Sequence, residues 1–198
     1  MFYQKHKSVL EDAIIACEKR HYWSPFIESP SRHLHPEGAH EMGKAAFELQ
    51  LNTSFKLDQP GETGRTGLEI SPYTQQPLGI DYPKSDTETI VSASKKAGQR
   101  WRKISPEERT GICLEMALTL EKQCFENAYA TMHTAGQAFL MAYSGSGPNA
   151  LDRGVEALAY ALKAMRDVPY SASWTKPFGK AGEVTSVSYT HLTLPTKA

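Results

Sequence analysis

The sequence has few cysteines, no surplus of charge and no long apolar run, and each of these features excludes a class of protein. Its three cysteines, Cys17, Cys113 and Cys124, lack CxxC spacing, so we expect reduced, mostly buried thiols instead of disulfides or a zinc knuckle. The 22 Lys and Arg balance 22 Asp and Glu, so general nucleic-acid binding is not expected. No apolar run approaches the roughly 20 residues of a membrane span. Charged residues interrupt the segment Met1–Arg20, which therefore lacks the apolar stretch of a signal peptide, and we expect a cytoplasmic protein.

The length of 198 residues allows one domain, or a piece of a larger protein, with a core of its own. Apolar residues at helical spacing predict a mainly α-helical chain with one β-hairpin. The hairpin strands are predicted over Leu68–Ser71 and Leu78–Tyr82. The predicted helices cover Lys5–Arg20, Glu37–Leu51, a run from Ser85 to Gln99, a run from Ser105 towards Met132, Gln137–Tyr143 and Pro148–Arg166.

Two helix starts carry capping signals. Ser85 with Glu88 three residues later predicts a capping box. Ser105 before Pro106, with acidic residues in the next turn, predicts a second and better-defined start. The helix that follows Ser105 should bury one stripe and break near 123–125, and that stripe comprises Ile112, Cys113, Met116, Ala117 and Leu120.

The segments between the helices have loop composition. His21–Pro36 should be pinned by packing of Tyr22, Trp23 and Phe26, and Asn52–Gly67 should be a surface excursion. From Ser186 the sequence becomes rich in Thr and Ser, whereas the sequence before it has mainly helical patterns. No segment of the sequence is recognisable as a partner strand for this stretch. We therefore predict that residues 186–198 are a non-native tail, with a real C-terminal β tail as the alternative.

Candidate chemical motifs are weak. Gly145, Gly147 and Ala150 match the spelling of a dinucleotide-binding loop, but a helix precedes them where that loop needs a strand, which favours a helix-to-helix turn. His33, His35 and His40, with Glu37, match no specific zinc spacing, so solvated histidines are favoured over a metal site. No nucleophile motif is present and no cysteine has an activating context. We therefore predict no catalytic, cofactor-binding or metal-binding residue in this chain.

The segment Ile70–Phe139 resembles the beginning of aldehyde dehydrogenases. The shared features are a Ser-Pro-x-Thr turn at Ser71–Thr74, a helix of small residues that ends in a Trp at Trp101, and a Ser-Pro-Glu-Glu-Arg helix start at Ser105–Arg109. His133–Gln137 replaces the Thr-Gly-Lys stretch of most members.

A narrower resemblance, to the PaaN type of aldehyde dehydrogenase from phenylacetic acid degradation, covers nearly the whole chain up to Thr185. Several independent blocks in the same order make it specific. The blocks are Tyr22–Phe26, Gly43–Phe47, Leu57–Gly61, Met132–Phe139 and Asp152–Gly154.

The resemblance implies an α/β dehydrogenase that oxidises an aldehyde, such as a coenzyme A-linked semialdehyde, with NAD or NADP. In that family the nucleophilic thiolate, the oxyanion hole, the nicotinamide site and the Glu that activates water all lie downstream of the segment matched here. The chain is then an inactive N-terminal fragment without a cofactor, whose partners are the remainder of the dehydrogenase and further copies in a homo-oligomer. The alternative is a non-catalytic helical interaction module derived from the same scaffold.

The resemblance also suggests a division of the chain. Residues 1–67 form an N-terminal helical extension and loop, and residues 68–185 begin the cofactor domain with the hairpin and a helical layer. Residues 186–198 are the predicted non-native tail. Trp101 and the stripe that follows Ser105 are expected to pack as core in the parent protein and, without the missing sheet, to leave an exposed apolar patch that is prone to aggregation.

Overall fold

The computed structural model describes residues 1–168 and 171–189, and within these residues the protein is mainly helical, as predicted. The helices are α1 (Phe2–Lys19), α2 (Ala39–Glu48), α3 (Thr87–Trp101), α4 (Pro106–Glu121), α5 (Cys124–Ala135), α6 (Phe139–Ser146) and α7 (Pro148–Asp167). The strands are β1 (Glu62–Thr66), β2 (Tyr82–Ser85), β3 (Ser171–Pro177) and β4 (Glu183–Tyr189). They form two antiparallel pairs, β1 with β2 and β3 with β4. No helix within the described ranges is both long and apolar enough to cross a membrane.

Helices α1, α4 and α7 pack around the largest core. Leu10, Leu114 and Leu162, one from each helix, are fully buried there. The predicted stripe on α4 is wrong in its phase, because Met116 and Leu120 are 60% and 47% exposed. The remaining stripe residues, Ile112, Cys113 and Ala117, are half-buried, and the buried face of α4 instead runs through Thr110, Gly111 and Leu114.

The buried face of α4 is selected by the close approach of α1. A Cβ atom on Gly111 would lie 2.6 Å from the Cα atom of Tyr3, so only glycine fits where the two backbones meet. The carboxylate of Glu108 accepts hydrogen bonds from the backbone N–H groups of Phe2 (2.8 Å) and Tyr3 (3.1 Å). These are free donors of the first turn of α1, which has no side-chain cap of its own. A helix contact between distant parts of the sequence therefore replaces a local cap.

The helix starts were predicted with mixed success. Ser105 caps α4 as predicted, since its hydroxyl accepts the N–H of Glu108 at 3.2 Å. The predicted cap of α3 by Ser85 is wrong, because Ser85 belongs to β2 and Asp86 accepts the N–H of Thr89 at 2.7 Å. A carboxylate is at least as good an N-cap as a hydroxyl, and it also complements the helix dipole.

Helices α2, α5 and α6 surround two smaller cores next to the main one. Tyr143 and Ala142 of α6 are buried with Cys124 and Ala128 of α5. Phe47 of α2 packs separately, with Leu78 and Ile80. The predicted break near residues 123–125 is confirmed by the end of α4 at Glu121 and the start of α5 at Cys124.

The strands differ from the predicted hairpin. The predicted ladder between Leu68–Ser71 and Leu78–Tyr82 is not formed: the structure has one isolated bridge, between Ile70 and Pro77, and one hydrogen bond from the N–H of Leu78 to the carbonyl of Glu69 at 2.9 Å. The Ser71 hydroxyl accepts the N–H groups of the next turn, so these groups do not enter a ladder. The observed pair joins Tyr82–Ser85 to Glu62–Thr66, within the segment predicted as a surface excursion. Strand β1 is polar and exposed throughout, which is why alternation of apolar residues did not reveal it.

Strands β3 and β4 pair in continuous register from Ser171 opposite Tyr189 to Pro177 opposite Glu183. The stretch that begins at Ser186 therefore has a partner strand, which the sequence analysis missed, and β4 runs through positions 185 and 186 without interruption. Pro169, predicted to end α7, and residues 190–198 lie outside the described residues. The assignment of 186–198 as a non-native tail and the domain boundary between 67 and 68 stay predictions, although β1 and β2 pair across that boundary.

Helix α3 differs from the other helices in its surroundings. None of its residues is buried, and Trp101, which was predicted to pack as core, is 38% exposed. The helix extends two residues beyond the predicted end at Gln99. Trp101 is thus partly exposed in the described residues, and its packing as core in the parent protein stays a prediction.

Candidate functional site

A groove of about 270 Å³ lies between α1, the loop that follows it and α7. Its floor is formed by small apolar side chains of α1 and α7, including Ala13 and Val155. Its polar groups come from the loop, with Tyr22 and Glu28, and from α7, with Asp152. The groove is a candidate active site, because its lining combines carboxyl groups, aromatic rings and a thiol.

Ser24 links the two walls of the groove. Its hydroxyl donates to Asp152 Oδ1 at 2.8 Å and accepts the backbone N–H of Phe26 at 3.0 Å. Phe26 is buried as predicted and Trp23 packs partly against the main core, but Tyr22 is 76% exposed, so its predicted pinning role is wrong. Two of the blocks that carry the resemblance, Tyr22–Phe26 and Asp152–Gly154, therefore meet in space.

The electrostatics of the groove favour neutral groups. Burial, reinforced by the neighbouring Glu28 carboxyl, raises the pKa of Asp152. A hydrogen bond to Glu28 raises the pKa of the Tyr22 hydroxyl. Burial, with a contribution from the charge of Glu156, raises the pKa of the Cys17 thiol. A nucleophilic cysteine needs a lowered pKa, so Cys17 lacks the activation that thiolate chemistry requires.

A Ser–His pair, Ser71 with His133, lies outside the lining of the groove. The Ser71 oxygen and His133 Nδ1 are 2.8 Å apart, and the same oxygen accepts the N–H groups of Tyr73 and Thr74, each at 3.2 Å. With its acceptor positions filled, the Ser71 hydroxyl donates its proton to His133. Ser71 is fully buried, so no substrate carbonyl reaches its oxygen. The pair resembles a nucleophile and its base, but its geometry is that of a turn fastened to α5.

His133 also joins two further blocks of the resemblance. Its ring stacks on Phe47 with centroids 5.0 Å apart. Phe47 belongs to the block Gly43–Phe47, and His133 belongs to the block Met132–Phe139. The hydroxyl of Tyr73 also donates to the carbonyl of Gln137, in the second of these blocks, at 2.7 Å. The blocks Gly43–Phe47 and Met132–Phe139 are thus in contact, and they build a packing unit.

The loop histidines line one pocket of about 310 Å³ with Glu37, but they are not arranged as metal ligands. The expectation of solvated histidines is wrong for His35 and His40, which are half-buried and pack on Phe125. His35 Nε2 lies 2.8 Å from the carbonyl oxygen of Ser29, and His40 Nε2 lies 2.6 Å from that of Pro30. His33 is exposed. Within residues 1–168 and 171–189, no group of three or more His, Cys, Asp or Glu is arranged to hold a metal ion.

The Gly145–Ala150 pattern lies at a helix-to-helix junction, as predicted. Helix α6 includes Gly145 and ends at Ser146, and α7 begins at Pro148, so the helix-to-helix turn consists of Gly147 alone. A Cβ atom on Gly147 would lie 2.6 Å from the carbonyl oxygen of Tyr143 and 2.9 Å from Cys124 Sγ. Atoms of α5 and α6 occupy the space beside Gly147, so a pyrophosphate cannot approach the backbone there.

The cysteines have structural environments. Cys124 is buried, whereas Cys17 and Cys113 are half-buried. Burial raises the pKa of Cys124 to about 11. Reduced, mostly buried thiols were predicted, and burial is confirmed for Cys124 alone of the three.

The sequence analysis missed the contacts Ser24–Asp152, Ser71–His133 and Glu108 with α1. Each joins residues at least 62 positions apart, so no local spacing reveals them. The sequence blocks shared with the dehydrogenase family could have pointed to the first two contacts, since the residues of these contacts lie within the blocks or in the Ser-Pro-x-Thr turn.

No protein-family model and no curated protein matches the chain. Among solved structures, it is similar to the crystal structure of an NAD-dependent aldehyde dehydrogenase from Burkholderia multivorans, with a TM-score of 0.86 and 42% sequence identity. The similarity covers 93% of this chain and 33% of that chain. The fold is therefore aldehyde dehydrogenase-like, and the chain spans about a third of the length of the dehydrogenase that it resembles.

Proposed function

We propose that this chain is the N-terminal part of an NAD(P)-dependent aldehyde dehydrogenase of phenylacetate degradation, which oxidises an aldehyde, such as a coenzyme A-linked semialdehyde, to the acid. The observation that carries the proposal is the similarity to an NAD-dependent aldehyde dehydrogenase at 42% identity over 93% of this chain. The same observation supports NAD as the cofactor of the parent enzyme. The resemblance of the ordered sequence blocks to the PaaN type supports the pathway.

The contacts between blocks support a shared scaffold. Tyr22–Phe26 meets Asp152–Gly154 through Ser24, and Gly43–Phe47 meets Met132–Phe139 through His133. Blocks that recur together in a family and touch in the fold are explained by mutual packing. In this proposal the chain supplies a helical layer to the enzyme.

The chemistry then belongs to the parent enzyme, whose reaction transfers a hydride from the aldehyde to the nicotinamide. The glycine pattern before α7 does not fit the pyrophosphate of that cofactor, since protein atoms occupy the space at Gly147. Burial raises the pKa of Cys17 and Cys124, so neither thiol is activated as the nucleophile. The chain alone is therefore expected to be inactive. Its partners are the remainder of the dehydrogenase and, in the assembled enzyme, further copies of the same protein.

A chimera tests the proposal. The part of the chain that the similarity covers, 93% of its length, replaces the matched third of the Burkholderia multivorans dehydrogenase, and NAD reduction is followed at 340 nm with phenylacetaldehyde and with aliphatic aldehydes. Aldehyde-dependent reduction by the chimera, with none by the chain alone, is expected. Saturable NAD binding by the isolated chain, or a folded chimera that oxidises no aldehyde, would count against the proposal.

The second candidate is a free-standing helical interaction module that has kept the scaffold without catalysis. The observation in its favour is the closed core of α1, α4 and α7, in which Leu10, Leu114 and Leu162 are fully buried. Such a module unfolds in one cooperative thermal transition, whereas a piece that lacks its neighbours melts broadly or aggregates. Calorimetry of the isolated chain separates the two candidates.

A further inference from the structure

The groove between α1, the loop that follows it and α7 contains two carboxyl groups that no cation of the chain neutralises. Glu28 lines the groove from the loop and Asp152 lines it from α7, and both residues are half-buried. Within residues 1–168 and 171–189, no Lys, Arg or His forms an ion pair with either carboxyl. Arg153 also lines the groove, but it is engaged with Glu156 at 2.7 Å.

The two carboxyl groups influence each other. Burial, and after it the neighbouring Glu28 carboxyl, raises the pKa of Asp152. The Ser24 hydroxyl donates to Asp152 Oδ1 at 2.8 Å, but it brings no positive charge. A partly buried pair of like charges is unfavourable, and either a proton or a bound cation relieves the repulsion. The pair is therefore suited to a ligand that carries one positive charge.

The rest of the lining is suited to the carbon atoms of such a ligand. The floor consists of small apolar side chains, including the buried Ala13 and Val155. Three aromatic rings border the groove, those of Tyr22, Trp23 and Tyr160. The face of an aromatic ring attracts a cation, and its edges and face also pack against apolar groups. The volume of about 270 Å³ is close to the lower end of the roughly 300–1,000 Å³ of ligand pockets, so the ligand is small.

Other classes of ligand fit this lining less well. Among the residues that the structure describes, no three His, Cys, Asp or Glu are arranged to hold a metal ion. An anion would meet the carboxyl groups of Glu28 and Asp152. The basic residues Arg20 and His21 line the groove as well, but both are exposed, so solvent screens their charges.

We propose that this groove binds a small organic cation, an amine whose ammonium group lies between Glu28 and Asp152 and whose apolar body covers the floor at Ala13 and Val155. The N–H groups of the ammonium donate to the two carboxylates, and the rings of Tyr22 and Trp23 border the charge. The proposal does not depend on the dehydrogenase assignment, because it rests only on the lining of the groove.

Three probes of the same shape test which charge the groove prefers. Benzylamine, benzyl alcohol and benzoate share one aromatic ring and carry a cationic, a neutral and an anionic group. Each is titrated into the full 198-residue chain at neutral pH and followed by calorimetry. Benzylamine should bind saturably, and the other two compounds should bind at least about tenfold more weakly.

Two variants and a matched control locate the binding. Asp152→Asn removes one charge but keeps an oxygen that can accept the Ser24 hydroxyl, and Glu28→Gln removes the other charge. The control is Asp12→Asn, which makes the same charge change at an exposed residue of α1 that does not line the groove. Asp152→Asn and Glu28→Gln should each weaken benzylamine binding by about tenfold, whereas the control should leave it unchanged. Far-UV circular dichroism checks that each variant keeps its helices.

Four results would overturn the proposal. They are no saturable binding of benzylamine in the millimolar range, equal affinity for benzyl alcohol, full affinity in folded Asp152→Asn and Glu28→Gln, and an equal loss in the control. The second result would assign a neutral ligand, and the last would assign the attraction to the general charge of the surface. Because NAD reduction by the chimera is a separate measurement, an active chimera whose chain binds no benzylamine refutes this proposal and leaves the dehydrogenase assignment standing.

Discussion

Replacing Leu114 by alanine should be the most informative test of how the main core is built. Leu114 is fully buried in the cluster of α1, α4 and α7. The change removes three carbon atoms, and burial contributes about 0.8 kcal/mol for each, or about 2.4 kcal/mol of lost transfer free energy. The cavity left behind adds to this cost, so we expect the free energy of unfolding to fall by about 3 kcal/mol.

The matched control is Met116→Ala, two positions away on the same helix. Met116 belongs to the stripe that the sequence predicted as core, but it is 60% exposed. Its replacement should change the free energy of unfolding by less than about 0.5 kcal/mol. Urea unfolding followed by circular dichroism at 222 nm measures both variants, and an unchanged slope shows that the unfolded state is comparable. A Met116→Ala loss equal to that of Leu114→Ala would refute the burial pattern assigned to α4.

Three further predictions follow from the contacts described above. The hydrogen bonds from Phe2 and Tyr3 lower the pKa of Glu108 below 4.5. The contribution of Glu108 to stability is therefore complete above pH 4.5 and is lost as the pH falls through the lowered pKa. Urea unfolding between about pH 3 and 7 should show this loss of stability for the wild type but not for Glu108→Gln. Gly111→Ala should cost about 1–3 kcal/mol by forcing α1 away from α4, with faster amide hydrogen exchange in α1 and little change in α5. Cys124, with its pKa of about 11, should resist iodoacetamide at pH 8 in the native chain and react once urea is added, which mass spectrometry reads directly; rapid native labelling would contradict its burial.

The features that could be predicted from the sequence are those decided by residues that are close together in the sequence. Ser105 and Pro106 begin α4 as predicted, because a cap and the first helical position are decided within a few residues. The cap of α3 shows the limit of that approach: Ser85 and Asp86 are adjacent candidates, and the pairing of Ser85 in β2 decides between them. A distant strand that was itself missed thus shifted the predicted cap by one residue.

The phase of α4 could not be predicted from hydrophobicity alone. The apolar residues of α4 suit more than one face, and the choice falls on the face where Gly111 admits the backbone of Tyr3. Likewise, the candidate site in the groove depends on Ser24 meeting Asp152, which are separated by 128 positions. Such contacts can be seen only in the tertiary fold. The one indication of them in the sequence was the resemblance of several blocks to the same protein family.

The cap that Glu108 provides for α1 has a consequence for the order of events during synthesis. The capped amide of Phe2 precedes its partner by 106 positions. At a translation rate of about 5–20 residues per second, roughly 5–20 s pass between the appearance of the first turn of α1 and that of the carboxylate that completes it. During that interval the apolar face of α1 has neither α4 nor α7 to pack on. The apolar residues of α1 therefore stay without their native partners until α7, the last of the three helices, has been synthesised.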